Sequence, residues 1–169
     1  MAKQKRLASF DGGEVSGVTD HEYSRVANKL IENAVRRCFC AMFIIDVTPR
    51  KRRFLVDDLL KQLQAARRRG VDVRVVVSGS NDTLQILESS AIARARLDEL
   101  GVPVRWAAES GRSNHSKVLL CDDRVLIGSH NWSADAFQVS TQDSVLVSSP
   151  ELCNAMARSF RKAWDSYAA

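Results

Sequence analysis

The sequence predicts an α/β fold: a mixed, mostly parallel sheet flanked by helices on both faces. Three observations carry this. Segments with one apolar face at helical spacing alternate with short apolar runs of strand length. Two of those runs, Lys117–Cys121 and residues 125–127, flank Asp122-Asp123-Arg124 as a tight hairpin, which makes the sheet mixed. The chain has 169 residues, enough for one core and little more.

The elements follow in order. Thr19-Asp20-His21-Glu22 has the form of a capping box. Behind it Tyr23, Val26, Ala27, Leu30, Ile31, Ala34 and Val35 mark the apolar face of a first helix. Residues 38–47 are nearly all apolar, as in a strand buried on both faces. A second helix carries Val56, Leu59, Leu60, Leu63 and Ala66, and closes on Arg67-Arg68-Arg69 and Gly70. The cations lie over its carbonyl end, with glycine just past it. Val71, Val73, Val75 and Val77 alternate with Asp72 and Arg74 and give a strand. Asn81 or Asp82 is placed to cap a third helix through Leu84, Leu87, Ala91, Ile92 and Ala95, which stops at Gly101 before Pro103. Val102, Val104 and Trp106 form a short strand, and a polar loop over residues 109–114 leads to the hairpin. Residues 144–148 make another strand. Ser149 and Pro150 then open a last helix with an N-cap and a first-turn proline, and Leu152, Met156, Phe160, Ala163 and Tyr167 form its apolar face. Residues 1–18 are expected to be a flexible basic tail and residues 19–169 a single domain.

Hydrophobic residues make up 45% and charged residues 27%, ordinary values for a globular protein. The net charge of +5 favours a polyanionic partner, nucleic acid or an anionic membrane surface. No apolar run is long enough to span a bilayer, and the N-terminus lacks the apolar stretch of a secretory signal, so a cytoplasmic protein is expected. Four cysteines occur, at Cys38, Cys40, Cys121 and Cys153, without a CxxC pair. Cys38-Phe39-Cys40 is expected to alternate across a strand and so not to offer both sulfurs to one ion. The four are read as small apolar core residues in a reducing compartment, and no metal site is expected.

The chemistry concentrates between Asn114 and Ser133. His115 and Lys117 sit two apart where a loop becomes a strand, and so point to one face. Ser129 and Asn131 sit two apart where the next strand ends, and hairpin pairing brings the four groups to one end of the sheet. Lysine supplies a fixed positive charge, while serine and asparagine supply neutral hydrogen-bond donors. Such a set holds a phosphate and its transition-state charge. A neutral histidine ring can act as nucleophile or base. Asp143, at the start of a later strand, is the candidate to bond one ring nitrogen of His115 and fix its tautomer. Asp122, in a turn beside Asp123, is read as structural. His130 is read as a structural residue or a contact at the substrate's edge, and Trp132 as core or interface packing. Arg50, Lys51, Arg52 and Arg53 follow a strand in a loop expected to border the site and are candidate nucleic-acid contacts. Arg67, Arg68 and Arg69 are read as a solvated helix end.

His115-x-Lys117-x4-Asp122 followed by Gly128-Ser129-x-Asn131 resembles the HKD motif of the phospholipase D superfamily, and Gly-Ser-His-Asn-Trp is typical of its small bacterial nuclease-like members. The resemblance runs from Asp20 to Trp164. The chain departs from the pattern in having five residues rather than six between Asp122 and Gly128, and in carrying Asp143 where these nucleases usually have glutamate. The resemblance implies a phospholipase D-like half-domain that cleaves phosphodiesters without metal or cofactor. In that family two motifs meet: one histidine attacks phosphorus and forms a phosphohistidine, and the other protonates the leaving oxygen. Only one HxK occurs here, since His21 precedes Glu22-Tyr23 and His130 precedes Asn131-Trp132. The expected assembly is therefore a twofold homodimer with His115 and Lys117 of both copies at the interface. An endonuclease of low sequence preference leads. A phospholipid-hydrolysing enzyme is the first alternative, although no amphipathic surface stands out for it. A catalytically silent nucleic-acid-binding module is the second, although such a module has no use for the full His, Lys, Ser and Asn set.

Overall fold

The structure, a computed structural model, describes residues 13–47, 54–79, 83–107 and 114–167. Arg50, Lys51, Arg52 and Arg53 therefore lie outside the described residues, as do Asn81 and Asp82. In chain order the elements are β1 (Glu14–Thr19), α1 (Glu22–Glu32), β2 (Arg37–Met42), α2 (Phe54–Arg68), β3 (Asp72–Val77), α3 (Leu84–Glu99), β4 (Val104–Trp106), β5 (Lys117–Cys121), β6 (Arg124–Gly128), α4 (Ala134–Gln138), β7 (Asp143–Ser148) and α5 (Pro150–Ser166).

One sheet holds the strands in the order β1-β7-β6-β5-β2-β3-β4. It is mixed, as expected, but not mostly parallel. Only the β2–β3 and β3–β4 pairs are parallel, whereas β1–β7, β7–β6, β6–β5 and β5–β2 are antiparallel. The reason lies in the connections. A helical crossover enforces parallel pairing only from β2 to β4, and the hairpin β5–β6 enters the sheet on the other edge of β2.

The sheet is covered on both faces. On one, α1, α2 and α3 bury Tyr23, Leu30, Ile31, Leu59, Leu60, Leu63 and Leu97 against Cys38, Cys40, Val73, Val75 and Leu119. On the other, α5 lays Cys153, Ala157 and Phe160 over Phe39, Leu120 and Val125. Cys38 and Cys40 thus share a face with Phe39 opposite, contrary to the expectation that the two cysteines would diverge. Strand side chains repeat with a period of two, so residues two apart point the same way.

The ends of α2 and α5 follow the sequence. Gly70, with φ of 91°, ends α2 in the left-handed region: its amide donates to Arg67 O at 2.9 Å and the Val71 amide to Ala66 O at 3.2 Å. Arg69 turns back to donate to the Ile31 and Glu32 carbonyls at 2.9 Å, closing the end of α1. Ser149 caps α5 by accepting from Leu152 N at 3.3 Å. Two other caps differ. The box over residues 19–22 does not form, because Asp20 takes a φ of 44° and its carboxylate accepts from Gln142 N at 2.8 Å. His21 stands at the N-cap of α1 without a side-chain bond. Thr83 holds that position on α3, also without one.

Residues 14–18, expected within a flexible tail, instead belong to the edge strand β1, since Glu14–Thr19 pairs with β7. Only Val18 of β1 is buried, so no apolar alternation announced the strand. The short helix α4 was likewise unmarked, at five residues.

Candidate active site

Asp122 anchors the hairpin at its closed end. With a φ of 51° it opens the two-residue turn between Cys121 and Arg124, which pair in register. Its carboxylate accepts from the amides of Val35 and Arg36 at 2.9 Å and of Arg37 at 3.0 Å. Its carbonyl accepts from the Arg37 guanidinium at 2.7 Å. Burial alone would raise the acid's pKa. The three amides and the Arg36 charge outweigh it and hold the carboxyl below its ordinary value.

The open end carries the polar cluster. Val118 pairs with Ile127, so Lys117 and Gly128 finish the ladder at one edge, with His115 leading in and Ser129 leading out. Lys117 is only 9% exposed, and its Nζ lies 3.3 Å from His115 Nδ1 and 3.1 Å from His115 O. An ammonium can only donate, so Nδ1 accepts and a neutral ring carries its proton on Nε2. Phe43 closes the pair from the end of β2: its ring centroid is 4.8 Å from Lys117 Nζ and 4.3 Å from that of His115. Burial lowers the lysine's pKa below its ordinary value.

Gly128 is required by a close approach. A Cβ there would lie 2.2 Å from Ser144 Oγ and 2.4 Å from Asp143 O. The serine so accommodated sits 2.8 Å from His130 Nδ1, while His130 Nε2 donates to Asp20 O at 3.1 Å and the ring stacks on Tyr23 with centroids 4.4 Å apart. With Nε2 donating, Nδ1 accepts the Ser144 hydroxyl proton. Burial lowers the pKa of His130, which keeps the ring neutral. His130 is a packing residue, as is Trp132, fully buried with Nε1 donating to Tyr23 OH at 3.2 Å. Trp132 also pins the loop after β6 to the chain after β2: its amide donates to Ile44 O at 2.9 Å, and Asp46 N donates to its carbonyl at 2.8 Å.

Ser129 and Asn131 flank His130 in that loop. Ser129 Oγ accepts from Asp143 N at 3.0 Å and gives its own proton to Gln142 Oε1. Among the described residues, Asn131 Oδ1 is buried without a hydrogen-bond partner, as is Asn114 Nδ2, next to His115. A buried polar atom left unpaired is costly, and at a ligand site it marks a place for a polar guest. Gln142 and Asn114 carried no sequence signal. Gln142 is found only through pairing, because its amide and carbonyl both bond Asp20.

Asp143 does not reach His115. Among the described residues the His115 ring contacts Lys117 and Phe43, and Asp143 holds Ser129 through its main chain, Ser129 N donating to Asp143 O at 2.9 Å. Two features separate them. β6 lies between β5 and β7, so the strands are about 10 Å apart. Alternation also sends Ser144 and Leu146 toward the α1 face with Lys117, and Asp143 with Val147 toward the α5 face.

The model of the family described as cardiolipin synthase, phospholipase D-like domain, matches residues 28–164. The chain belongs to this phospholipase D-like family. Its fold is that of solved relatives. Nuc from Salmonella typhimurium, a phospholipase D family member, superposes with a TM-score of 0.74 at 20% identity, covering 93% of this chain and 97% of Nuc. NucT from Helicobacter pylori gives 0.67 at 20% identity, covering 94% and 99%. Among curated relatives, the mitochondrial cardiolipin hydrolase of Danio rerio is 33% identical over 100 residues, 59% of this chain and 42% of that protein. The human one is 30% identical over 115 residues, 68% of this chain and 43% of that protein. The phospholipase D-like chain thus spans about half the length of the curated relatives it matches.

Proposed function

We propose that this chain hydrolyses phosphodiesters of nucleic acid, as an endonuclease of low sequence preference, in a site completed by a second copy of itself. The observation that carries the reading is the contact of the nearly buried Lys117 ammonium with His115. Lys117, Ser129 and Asn131 would hold the phosphoryl oxygens. One His115 would attack phosphorus through Nε2, breaking the bond to the leaving oxygen. The other would give that oxygen its proton, then deprotonate the water that hydrolyses the phosphohistidine. The attacking copy needs a neutral ring with its proton on Nδ1, the acid copy a charged ring that becomes neutral on giving up its Nε2 proton, and two copies allow one ring in each state.

Ile127 and Val145 support the assembly. They pair in register one step from Gly128 and Ser144, and are 37% and 38% exposed, an apolar patch at the same end of the sheet but on the α5 face, opposite Lys117, that a second copy would cover. The net charge of +5 suits a polyanion, and the likeness to Nuc and NucT favours nucleic acid. None of the described helices is long and apolar enough to cross a membrane. A cytoplasmic setting goes with this reading, although the named relatives are mitochondrial.

One observation favours a phospholipid substrate instead. A cavity of about 240 Å³ runs from Asn114 and Ser116 over Val118, Leu120, Met156 and Phe160, an apolar lining suited to an acyl chain. The test is incubation with plasmid, single-stranded DNA, RNA and cardiolipin vesicles in excess EDTA, beside His115→Ala. Cleavage of nucleic acid that His115→Ala abolishes is expected. Activity on vesicles alone transfers the site to lipid, loss of activity in EDTA sinks the metal-free route, and a fully active monomer by light scattering sinks the shared site.

A further inference from the structure

Cys38 and Cys121 face each other across the β2–β5 ladder. Their sulfurs are 3.3 Å apart, and both residues are buried. On the same ladder Asp122 N donates to Arg37 O at 3.1 Å and Phe43 N to Ser116 O at 2.8 Å, so the odd-numbered residues of β2 take the hydrogen-bonded positions. Ladder positions alternate, which makes Cys38–Cys121 a non-hydrogen-bonded pair with Cα atoms about 4.5 Å apart. That separation lies within the span a disulfide bridges, about 4.4–6.8 Å. Cys40, on the same face, pairs instead with Leu119.

The two thiols differ in access. Cys121 lines a cavity of about 460 Å³ between Leu30 and Asn33 of the α1 end and the Asp122–Arg124 turn. Cys38 lies behind it at 0% exposure.

We propose that Cys38 and Cys121 are a disulfide-forming pair that reacts with a low-molecular-weight disulfide, with Cys121 the entry thiol and Cys38 the resolving one. The Cys121 thiolate attacks one sulfur of the oxidant, forming a mixed disulfide and releasing one thiol. The Cys38 thiolate then attacks Cys121 Sγ, forming the intramolecular bond and releasing the second thiol. The two protons of the protein thiols end on the two released thiols; the protein sulfurs are oxidised and those of the oxidant reduced. The hydrogen bond with Cys38 and burial hold the Cys121 thiol well above its ordinary pKa, so the reaction is slow at neutral pH and quickens as pH rises. The bond encloses α2, β3, α3 and β4, and fastens to β2 the hairpin whose far end carries Lys117 and Gly128.

The test uses the native full chain with oxidised glutathione as the probe, followed by thiol counting and non-reducing peptide mass mapping. The four free thiols should fall to two, with Cys38 and Cys121 in one linked pair of peptides. The melting temperature should rise by about 5–10 °C, reversibly with dithiothreitol. Cys38→Ser should stop at a glutathione adduct on Cys121, and Cys121→Ser should take no adduct at Cys38. Four thiols remaining in the wild-type chain, or a linked pair containing Cys40 or Cys153, would overturn the proposal, as would an adduct at Cys38 in Cys121→Ser. The wild-type measurement stands even where a variant folds poorly.

Discussion

The two ends of the β5–β6 hairpin are built to opposite rules. At the turn, one carboxylate takes three backbone amides and its carbonyl takes an arginine. At the other end, Asn114 Nδ2 and Asn131 Oδ1 are buried without partners among the described residues, His115 is exposed, and the lysine beside it has its pKa lowered by burial. The Asp122 carboxylate is saturated, so its role is to fix geometry, while Asp123 Oδ1 beside it, buried without a hydrogen bond among the described residues, has an ion pair with Arg37 at 3.8 Å. The open end keeps unspent hydrogen-bonding capacity, which is what a substrate can use.

Changes at the two ends should therefore separate activity from stability. The largest expected effect is from His115→Ala. Phosphodiesterase activity should fall at least ~10³-fold with stability unchanged within about 0.5 kcal/mol, measured by turnover and chemical denaturation side by side. A comparable loss of stability would show that the ring supports the fold. Asp122→Ala should do the reverse, costing about 3 kcal/mol while the residual folded protein stays active. Its pH dependence is specific. The folded carboxyl has a pKa below the unfolded value of about 3.9, so its contribution is complete above that pH and is lost as pH falls through the folded value. The stability gap between wild type and variant should narrow on acidification below pH ~4, and a gap independent of pH would mean the carboxylate is not what anchors the turn.

Asn131→Ala sharpens the contrast, because it removes a buried atom that has no partner. Activity should drop about 50-fold, with stability equal to or slightly above wild type. A clear destabilisation would show the amide to be satisfied in the free protein. The smallest effect belongs to Gln142→Leu, which frees the Ser129 hydroxyl while keeping the main-chain bonds to Asp20. A rise in KM of about five-fold is expected, and none in a Ser129→Ala background. An undiminished effect there would mean that Gln142 acts on something other than Ser129.

Much of this contrast was legible in the sequence. α2, β3, the hairpin and α5 follow from apolar periodicity, a glycine after the arginines and a serine before proline. His115, Lys117, Ser129 and Asn131 come to one edge because hairpin register requires it. Pairing partners were not legible. Strand patterns do not encode direction, so beyond the hairpin the antiparallel pairings β1–β7, β7–β6 and β5–β2 were missed. β1 escaped because it buries only Val18 and is held by main-chain bonds that any residue could make. Asp143 was assigned to His115 as the downstream acid that would fix the ring's tautomer, whereas register places it beyond β6 and on the other face. Gln142 joined the site through Asp20, over a separation that no local pattern records.

The position of β2 at the middle of the sheet has a consequence for biogenesis. Its two neighbours arrive at different times: β3 follows after one helix, whereas β5 comes only after α3 and β4 have been made. On a chain emerging from the ribosome, the Arg37–Met42 strand, five of whose six residues end up buried, keeps one edge unpaired until Lys117–Cys121 appears. The interval before that second neighbour arrives is when the nascent chain is most exposed to aggregation and has the greatest need of a chaperone.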